Sequence, residues 1–449
     1  MKSFRIDDEA AASTASIEKA VLNASKRKRS RKDVQRRLEN MEATIALIQG
    51  LIENGTYSPR VHQEVVINEN GPHKERKIIK PDYYPEQIMH HVAVQALQPC
   101  IMYGMSAFVL GSIPGRGAHC GKHYIEKWLR EDEKHTRIIG KLDIRHFFQS
   151  VDHDILKDWI HKKIRPGKIR DVCDLIIDGV EEGLPLGFYT SQWFSNFLLQ
   201  PLDHLIMEEL HVSHMARYMD DIVIFGANKK VIHAAMEAID LYLWNNFRLQ
   251  VKKNWQVFRM EYTTTEYAIE CEKLADLYEL SKALPVKHRL KMYKGRRKIF
   301  LKATARNENV MDEYLAKYGG TAEPIRMTHG RALDFMGFEF HRDRTVLRKS
   351  IMISATRKAA RIGAAHRINW VEAAGMLSYV GWIDHTDTYG MYLERVKPYV
   401  NIKRLKKIIS NHQRRLNNGI DLQNRQGLPA DAPGGARPHI EPGQGVSAS

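Results

Sequence analysis

The sequence predicts a mixed α/β protein, and three stretches carry that expectation. "MARYMDDIVIFG" (215–226) reads as two short strands meeting at Met219-Asp220, since apolar β-rich runs flank a polar pair. "KKVIHAAMEAIDLYLWNNF" (229–247) carries apolar residues at the helical period and reads as an amphipathic helix. Around "HQEVVIN" and "ERKIIK", between 61 and 80, two β-rich runs joined by a polar segment with Asn-Gly read as a hairpin.

The other elements follow in chain order. Residues 17–60 read as helices with a stop at Asn54-Gly55 and a basic block, "KRKRSRK", in the middle. That block is either a solvated helix end or an arm that contacts phosphates. Helical and strand patterns alternate from 85 to 210. The uncharged stretch Val92 to Gly115 has the length of a membrane span, but Pro99, Gly104, Gly111 and Pro114 interrupt it, so it reads as buried core and loop. "DFMGFEFHRDRTVLRKS" (334–350) predicts another strand pair. Residues 354–418 turn helical and basic, with Arg357, Lys358, Arg361, Lys403, Arg404, Lys406 and Lys407. From 425 onward Gly and Pro dominate without periodicity, which predicts a disordered tail.

Composition narrows the class. The 449 residues, 43% of them hydrophobic, are enough for more than one domain with a sizeable core. Lys and Arg number 69 against 53 Asp and Glu, a formal net charge of +16, which favours an anionic partner such as nucleic acid. Cys100, Cys120, Cys173 and Cys271 are scattered without C-x-x-C spacing, so neither a zinc site nor a disulfide framework is expected. The chain reads as cytoplasmic and reduced, with no secretory leader and no membrane partner.

Carboxylates carry the candidate chemistry. Asp220-Asp221 alone could be a solvated turn. "IIGKLDIRHFFQSVDHDIL" adds Asp143 at the end of an apolar run, followed by two aromatics. If the fold brings the three together, their oxygens would suit two Mg²⁺ ions, with Mn²⁺ as a substitute, for in-line phosphoryl displacement. Because consecutive strand residues face opposite ways, a turn between Met219 and Asp221 is required for both acids to serve one site.

At this point the order of motifs becomes informative. "KERKIIKP", "SIPGRGAH", "KLDIRHFF", "GLPLGFYTSQWFSNFLLQPLDHLI", "ARYMDDIVIFG", "LQVKKNWQVF" and "DFMGFEFHRDRTVLRKS" follow one another as the fingers and palm motifs of reverse transcriptases do. The sequence resembles bacterial retroelement reverse transcriptases over roughly residues 30 to 410. Ser191-Gln192, where many of those enzymes have Ser-Pro, together with "NWQVF", "LRKS" and "SYVGWIDHTDTYGMYL", resembles the diversity-generating type. Defence-associated reverse transcriptases are close relatives of that type.

The resemblance implies a right-hand polymerase of α+β class. Its parts would be an N-terminal basic helical region (1–60), fingers (61–140), palm with part of the fingers (141–345), a helical thumb (346–424) and the tail (425–449). It implies Asp143 and Asp220 as main metal ligands, the Ile144 carbonyl completing the site, and Asp221 as second acid. Phe148 would be the steric gate against a ribose 2′-hydroxyl. Gly187 would allow close approach of the template or incoming base, with Gln192 in the same nucleotide-binding motif. Arg76, Lys77 and Arg116 are candidate triphosphate contacts, and Lys252 or Lys253 matches the lysine after Y-x-D-D. His119, His146 and His153 receive no metal role.

The implied partners are a structured non-coding RNA as template, a DNA or RNA primer and deoxynucleotides, with an accessory protein or homo-oligomerisation as further options. The implied product is cDNA for diversification, or for antiphage defence. No endonuclease finger or RNase H-like domain is expected after the thumb. A non-catalytic RNA-binding scaffold and a metal-dependent nuclease using the same aspartates are the alternatives from other classes.

Overall fold

The strand Ile138–Asp143 (β3) is central to a four-stranded antiparallel sheet, and its apolar run is buried as a central strand requires. The computed structural model describes residues 3–60, 63–68, 75–270, 279, 291–293, 296–302 and 305–425. Around β3 the sheet runs β4-β5-β3-β6, with β4 His214–Tyr218, β5 Asp221–Gly226 and β6 Gln256–Arg259. The two strands expected to meet at Met219-Asp220 are β4 and β5.

One sheet face is covered by the helix Lys229–Phe247, which spans the predicted stretch from end to end. Ile232, Ala235, Met236, Ile239, Leu243 and Phe247 form its buried stripe. The Asn228 side chain caps its start by accepting the Lys230 N–H at 2.8 Å. Gly140 of β3 makes this contact possible: a Cβ there would lie 2.8 Å from Met236 Sδ and 2.9 Å from both Ile224 Cγ1 and Ile232 Cγ2.

Helices fill the space N-terminal to and between these strands. Ile88–Met102 is buried along much of its length and packs against Thr14–Ser25, Lys168–Asp178 and Tyr189–Leu198. It accounts for the first part of the uncharged stretch Val92 to Gly115, as core. Among the described residues no helix is long and apolar enough to cross a membrane. The hairpin expected near 61–80 is present as β1 (Gln63–Asn68) and β2 (Glu75–Lys80), antiparallel; its Asn-Gly connection lies outside the described residues. So do Cys271 and the tail from 426.

Two features departed from the reading of the sequence. Between β6 and the segment 334–350 lies a second antiparallel sheet, in which the nine-residue strands Tyr262–Glu270 and Thr321–His329 pair in full register. The expected strand pair at 334–350 is a meander of three: Leu333–Phe335, Phe338–Phe340 and Thr345–Leu347. Its first connection is the two-residue turn Met336-Gly337, both at positive φ as hairpin turns of type I′ require.

The chain divides into two units, Met1–Ile353 with Ile383–Gly390, and Ser354–Trp382 with Met391–Ser449. Among its described residues the second consists of helices joined by short loops. Its core contains Ala355, Ala359, Ala373, Met376 and Leu405, and Trp370 stacks on His412 at 4.6 Å. Arg357, Arg361, Lys403, Arg404, Lys406 and Lys407 are exposed.

Gly140 gives the fold a direct test. Gly140→Val should overpack the sheet–helix contact and destabilise the protein by about 1–3 kcal/mol, read as a lowered Tm. An unchanged Tm would show that Met236 and Ile232 can yield.

Candidate active site

Pairing of β3 with β5 sets Asp143 directly opposite Asp221 and Lys141 opposite Val223. Opposed residues on antiparallel strands share a face, as do residues two apart, so Lys141, Asp143 and Asp221 lie on one side of the sheet. Tyr218 pairs with Asp221, which leaves Met219-Asp220 as a two-residue turn. Met219 sits at φ 57°. Positive φ at the first turn position is the type II′ pattern, in which Gly is favoured, so a methionine there is held by its surroundings.

The end of β3 is tied to the turn and to the segment around Lys252 by backbone bonds. The Ile144 N–H donates to the Asp220 carbonyl at 3.2 Å, and the Lys252 N–H donates to the Asp143 carbonyl at 2.9 Å. Ile144 itself is fully buried. The turn demanded by the sequence is therefore present, and Asp220 is at its tip.

Two ammonium groups counter the acids. Lys252 Nζ donates to Asp143 Oδ2 at 2.8 Å, and Lys141 Nζ lies 3.5 Å from Asp221 Oδ2. Lys253, the alternative to Lys252, is exposed. The second oxygen of each carboxylate, Asp143 Oδ1 and Asp221 Oδ1, is buried without a hydrogen-bond partner. Burial raises the Asp221 carboxyl from 3.8 to about 6, the Lys141 charge opposes this, and the charges of Asp143 and Asp220 add to it.

Two unsatisfied anionic oxygens on neighbouring strands fit a divalent cation, which prefers carboxylate ligands. Asp143 and Asp221 supply that pair. Among the described residues no group of three or more His, Cys, Asp or Glu side chains is gathered closely enough to hold an ion. Asp220 reaches Asp221 through its charge rather than by joining such a group.

A cleft of about 480 Å³ opens beside the pair, lined by Lys141, Asp143, Asp221, Lys252, Trp255 and Arg331 among others. Lys141 also donates to the Asp334 carbonyl at 2.5 Å, joining this cleft to the meander. Lys141 was missed from the sequence, although its i−2 spacing from Asp143 on a strand was a usable signal.

The remaining predicted residues are spread more widely. Phe147 is buried in the core while Phe148 is half-buried, with ring centroids 5.4 Å apart, so only Phe148 presents an edge to solvent. The Phe148 carbonyl accepts the Leu184 N–H, tying it to the "GLPLG" segment. Gly187 has φ 116°, and a Cβ there would meet the Ile79 carbonyl of β2 at 2.2 Å. The close approach that this glycine permits is thus to the chain's own hairpin.

Gly187 and exposed Gln192 line a smaller pocket of about 250 Å³ with Lys28, His91 and Tyr189, where the His91 and Tyr189 rings stack at 3.9 Å. Burial and nearby Lys28 and Lys26 lower His91 to about 4, so its ring is neutral at pH 7. Arg116 Nη1 donates to the Ser106 and Val109 carbonyls at 2.6 and 3.2 Å, which binds it to its own loop. Lys77 is exposed on β2 and lies 3.5 Å from Glu64. The Arg76 side chain lies outside the described residues.

Residues 72–269 match the sequence model of the family described as reverse transcriptase (RNA-dependent DNA polymerase). That span, under half of the chain, contains all three aspartates, Phe148, Gly187, Gln192 and both lysines. The chain carries a reverse transcriptase domain, the domain of RNA-directed DNA polymerases, in a mixed helix-and-strand fold. No curated protein matches the sequence.

Partial likeness extends to solved telomerases. Apo telomerase from Candida tropicalis, truncated from its C-terminal domain, is 12% identical over 46% of this chain and 53% of that chain, with a TM-score of 0.33. Telomerase from Candida albicans in complex with the TWJ fragment of telomeric RNA is 11% identical over 48% of this chain and 47% of that chain, at 0.34. The chain spans about half the length of these proteins.

The raised Asp221 carboxyl has a signed consequence for stability. Its folded-state value, about 6, lies above the ordinary 3.8, so the stability contributed by the neutral form is present below about pH 4 and is lost as pH rises through about 6. In divalent-free buffer, the Tm advantage of Asp221→Asn over wild type should widen between about pH 4 and 7. A constant difference would contradict the raised value.

Proposed function

We propose that this protein is an RNA-directed DNA polymerase that synthesises cDNA on a structured RNA template, acting in a retroelement of the diversity-generating type. The observation that carries the reading is the in-register pair Asp143 and Asp221, each with a buried, unpartnered oxygen, beside the Met219-Asp220 turn. Asp143, Asp220 and Asp221 would hold divalent cations, Mg²⁺ or Mn²⁺. Those cations would supply charge neutralisation for the attack of a primer 3′-hydroxyl and the departure of pyrophosphate.

The chain's own groups complete the chemistry. Lys252 and Lys141 hold ammonium charge against the acids, where it can also meet triphosphate oxygens. Phe148, half-buried and tied to "GLPLG", would exclude a 2′-hydroxyl by volume. Exposed basic side chains at 26–32 and in the helical unit suit phosphate backbones, and binding through them falls with salt.

Support for the diversity-generating role is the Ser191-Gln192 departure and the "SYVGWIDHTDTYGMYL" segment. Sequencing the cDNA made at the native locus tests it: a mutagenised template repeat supports diversification, whereas faithful copies of a partner non-coding RNA would move the protein to defence.

Primer extension on an RNA template tests the activity. Asp143→Ala and Asp220→Ala should each abolish deoxynucleotide incorporation while leaving the Tm and RNA affinity near wild type. Incorporation retained by either variant would remove that residue from the site, and RNA binding without incorporation by wild type would favour the scaffold. Cleavage of nucleic acid without deoxynucleotides would favour the nuclease. Phe148→Ala should raise ribonucleotide incorporation relative to deoxynucleotide; an unchanged ratio would place the gate elsewhere.

A further inference from the structure

Arg217 is the largest fully buried side chain in the described residues, and it sits two residues before Met219. Its guanidinium donates to Asp203 twice, Nε to Oδ1 and Nη2 to Oδ2, both at 2.7 Å. Nη1 donates to Asn196 Oδ1 at 2.9 Å and to the Met219 carbonyl at 3.2 Å. Asn196 Nδ2 in turn donates to the Gly111 carbonyl at 2.9 Å.

Gly111 closes the circuit sterically. A Cβ at this position would fall 2.8 Å from the Met219 backbone nitrogen and 2.7 Å from its Cγ, so the loop can lie against the turn only because it has none. Backbone bonds fix the same region, since Arg217 N–H donates to the Phe108 carbonyl and Leu110 N–H donates to the Arg217 carbonyl. The Met219–Asp220 peptide is thus gripped through its carbonyl while Met219 is kept at positive φ.

We propose that Arg217, Asp203 and Asn196 are positioning residues that set the orientation of the Met219-Asp220 peptide, and through it the placement of Asp220 and Asp221 for cation binding. The proposal rests on the polymerase reading for its effect on turnover, though its effect on cation binding can be measured without that reading. Stability alone is a weak reason for such a pair, because apolar replacements of buried ion pairs are often neutral or stabilising. What an apolar replacement cannot reproduce is the bond to the Met219 carbonyl.

The test uses the full chain and the double variant Arg217→Met/Asp203→Leu, which removes both charges together. Cooperative melting and affinity for an RNA template with a DNA primer should persist. Turnover should fall on the order of 100-fold, as expected for a displaced reactive group, and Mn²⁺ binding followed by electron paramagnetic resonance should weaken roughly tenfold. Wild-type turnover and Mn²⁺ affinity in a folded double variant would overturn the proposal.

Should that variant fail to fold, Asn196→Ala and Gly111→Ala leave the ion pair intact and are read by the same assays; unchanged Mn²⁺ affinity in both would overturn it equally. If wild type extends no primer while the variants still lose Mn²⁺ affinity, the polymerase reading fails and the positioning role stands.

Discussion

Asp143 and Asp221 face each other across two hydrogen-bonded strands, an arrangement that costs free energy in any ordinary sheet because like charges directly opposite repel. The surrounding structure answers that repulsion. Lys141 and Lys252 each place an ammonium on one oxygen, the β3–β5 core fixes the register through its apolar residues, and the helix Lys229–Phe247 locks the far face. A slip of one residue would turn every side chain of β5 over and bury the acid in the apolar layer.

Local patterns were legible where one element decides its own structure. The strand pair at Met219-Asp220, the helix 229–247 and the two runs of the hairpin at 61–80 could be read because period and turn chemistry act within a few residues. The sheet built from Tyr262–Glu270 and Thr321–His329 could not. Its partners are separated by a long intervening segment, and neither strand alternates cleanly enough to announce a buried face.

The site shows the same division. Motif order singles out Asp143, Asp220, Asp221 and Lys252 or Lys253, and the fold brings the Lys252 ammonium to Asp143. Lys141 was missed, though strand alternation placed it beside Asp143. Arg217, Asp203 and Asn196 were beyond reach, since an arginine near the end of a short strand reads as an exposed charge until the fold supplies Asp203 from the helix Gln200–His204. Gly187 was read for close approach to a nucleotide, and in the structure that approach is taken by Ile79. A glycine signals that something comes near, not what.

Global and local charge pull in opposite directions here, and the contrast explains the lysines. A net charge of +16 draws polyanions toward the protein from a distance. Within a Debye length, about 8 Å at physiological salt, a phosphate would instead meet the carboxylates. Long-range attraction cannot overcome that local repulsion, so the cluster must carry its own cations. Lys141 provides one from a strand position, and Lys252 provides the other from a segment whose own backbone N–H is bonded to the Asp143 carbonyl. Each covers one oxygen of its carboxylate, and the other two, Asp143 Oδ1 and Asp221 Oδ1, remain as the site's unmet demand for positive charge.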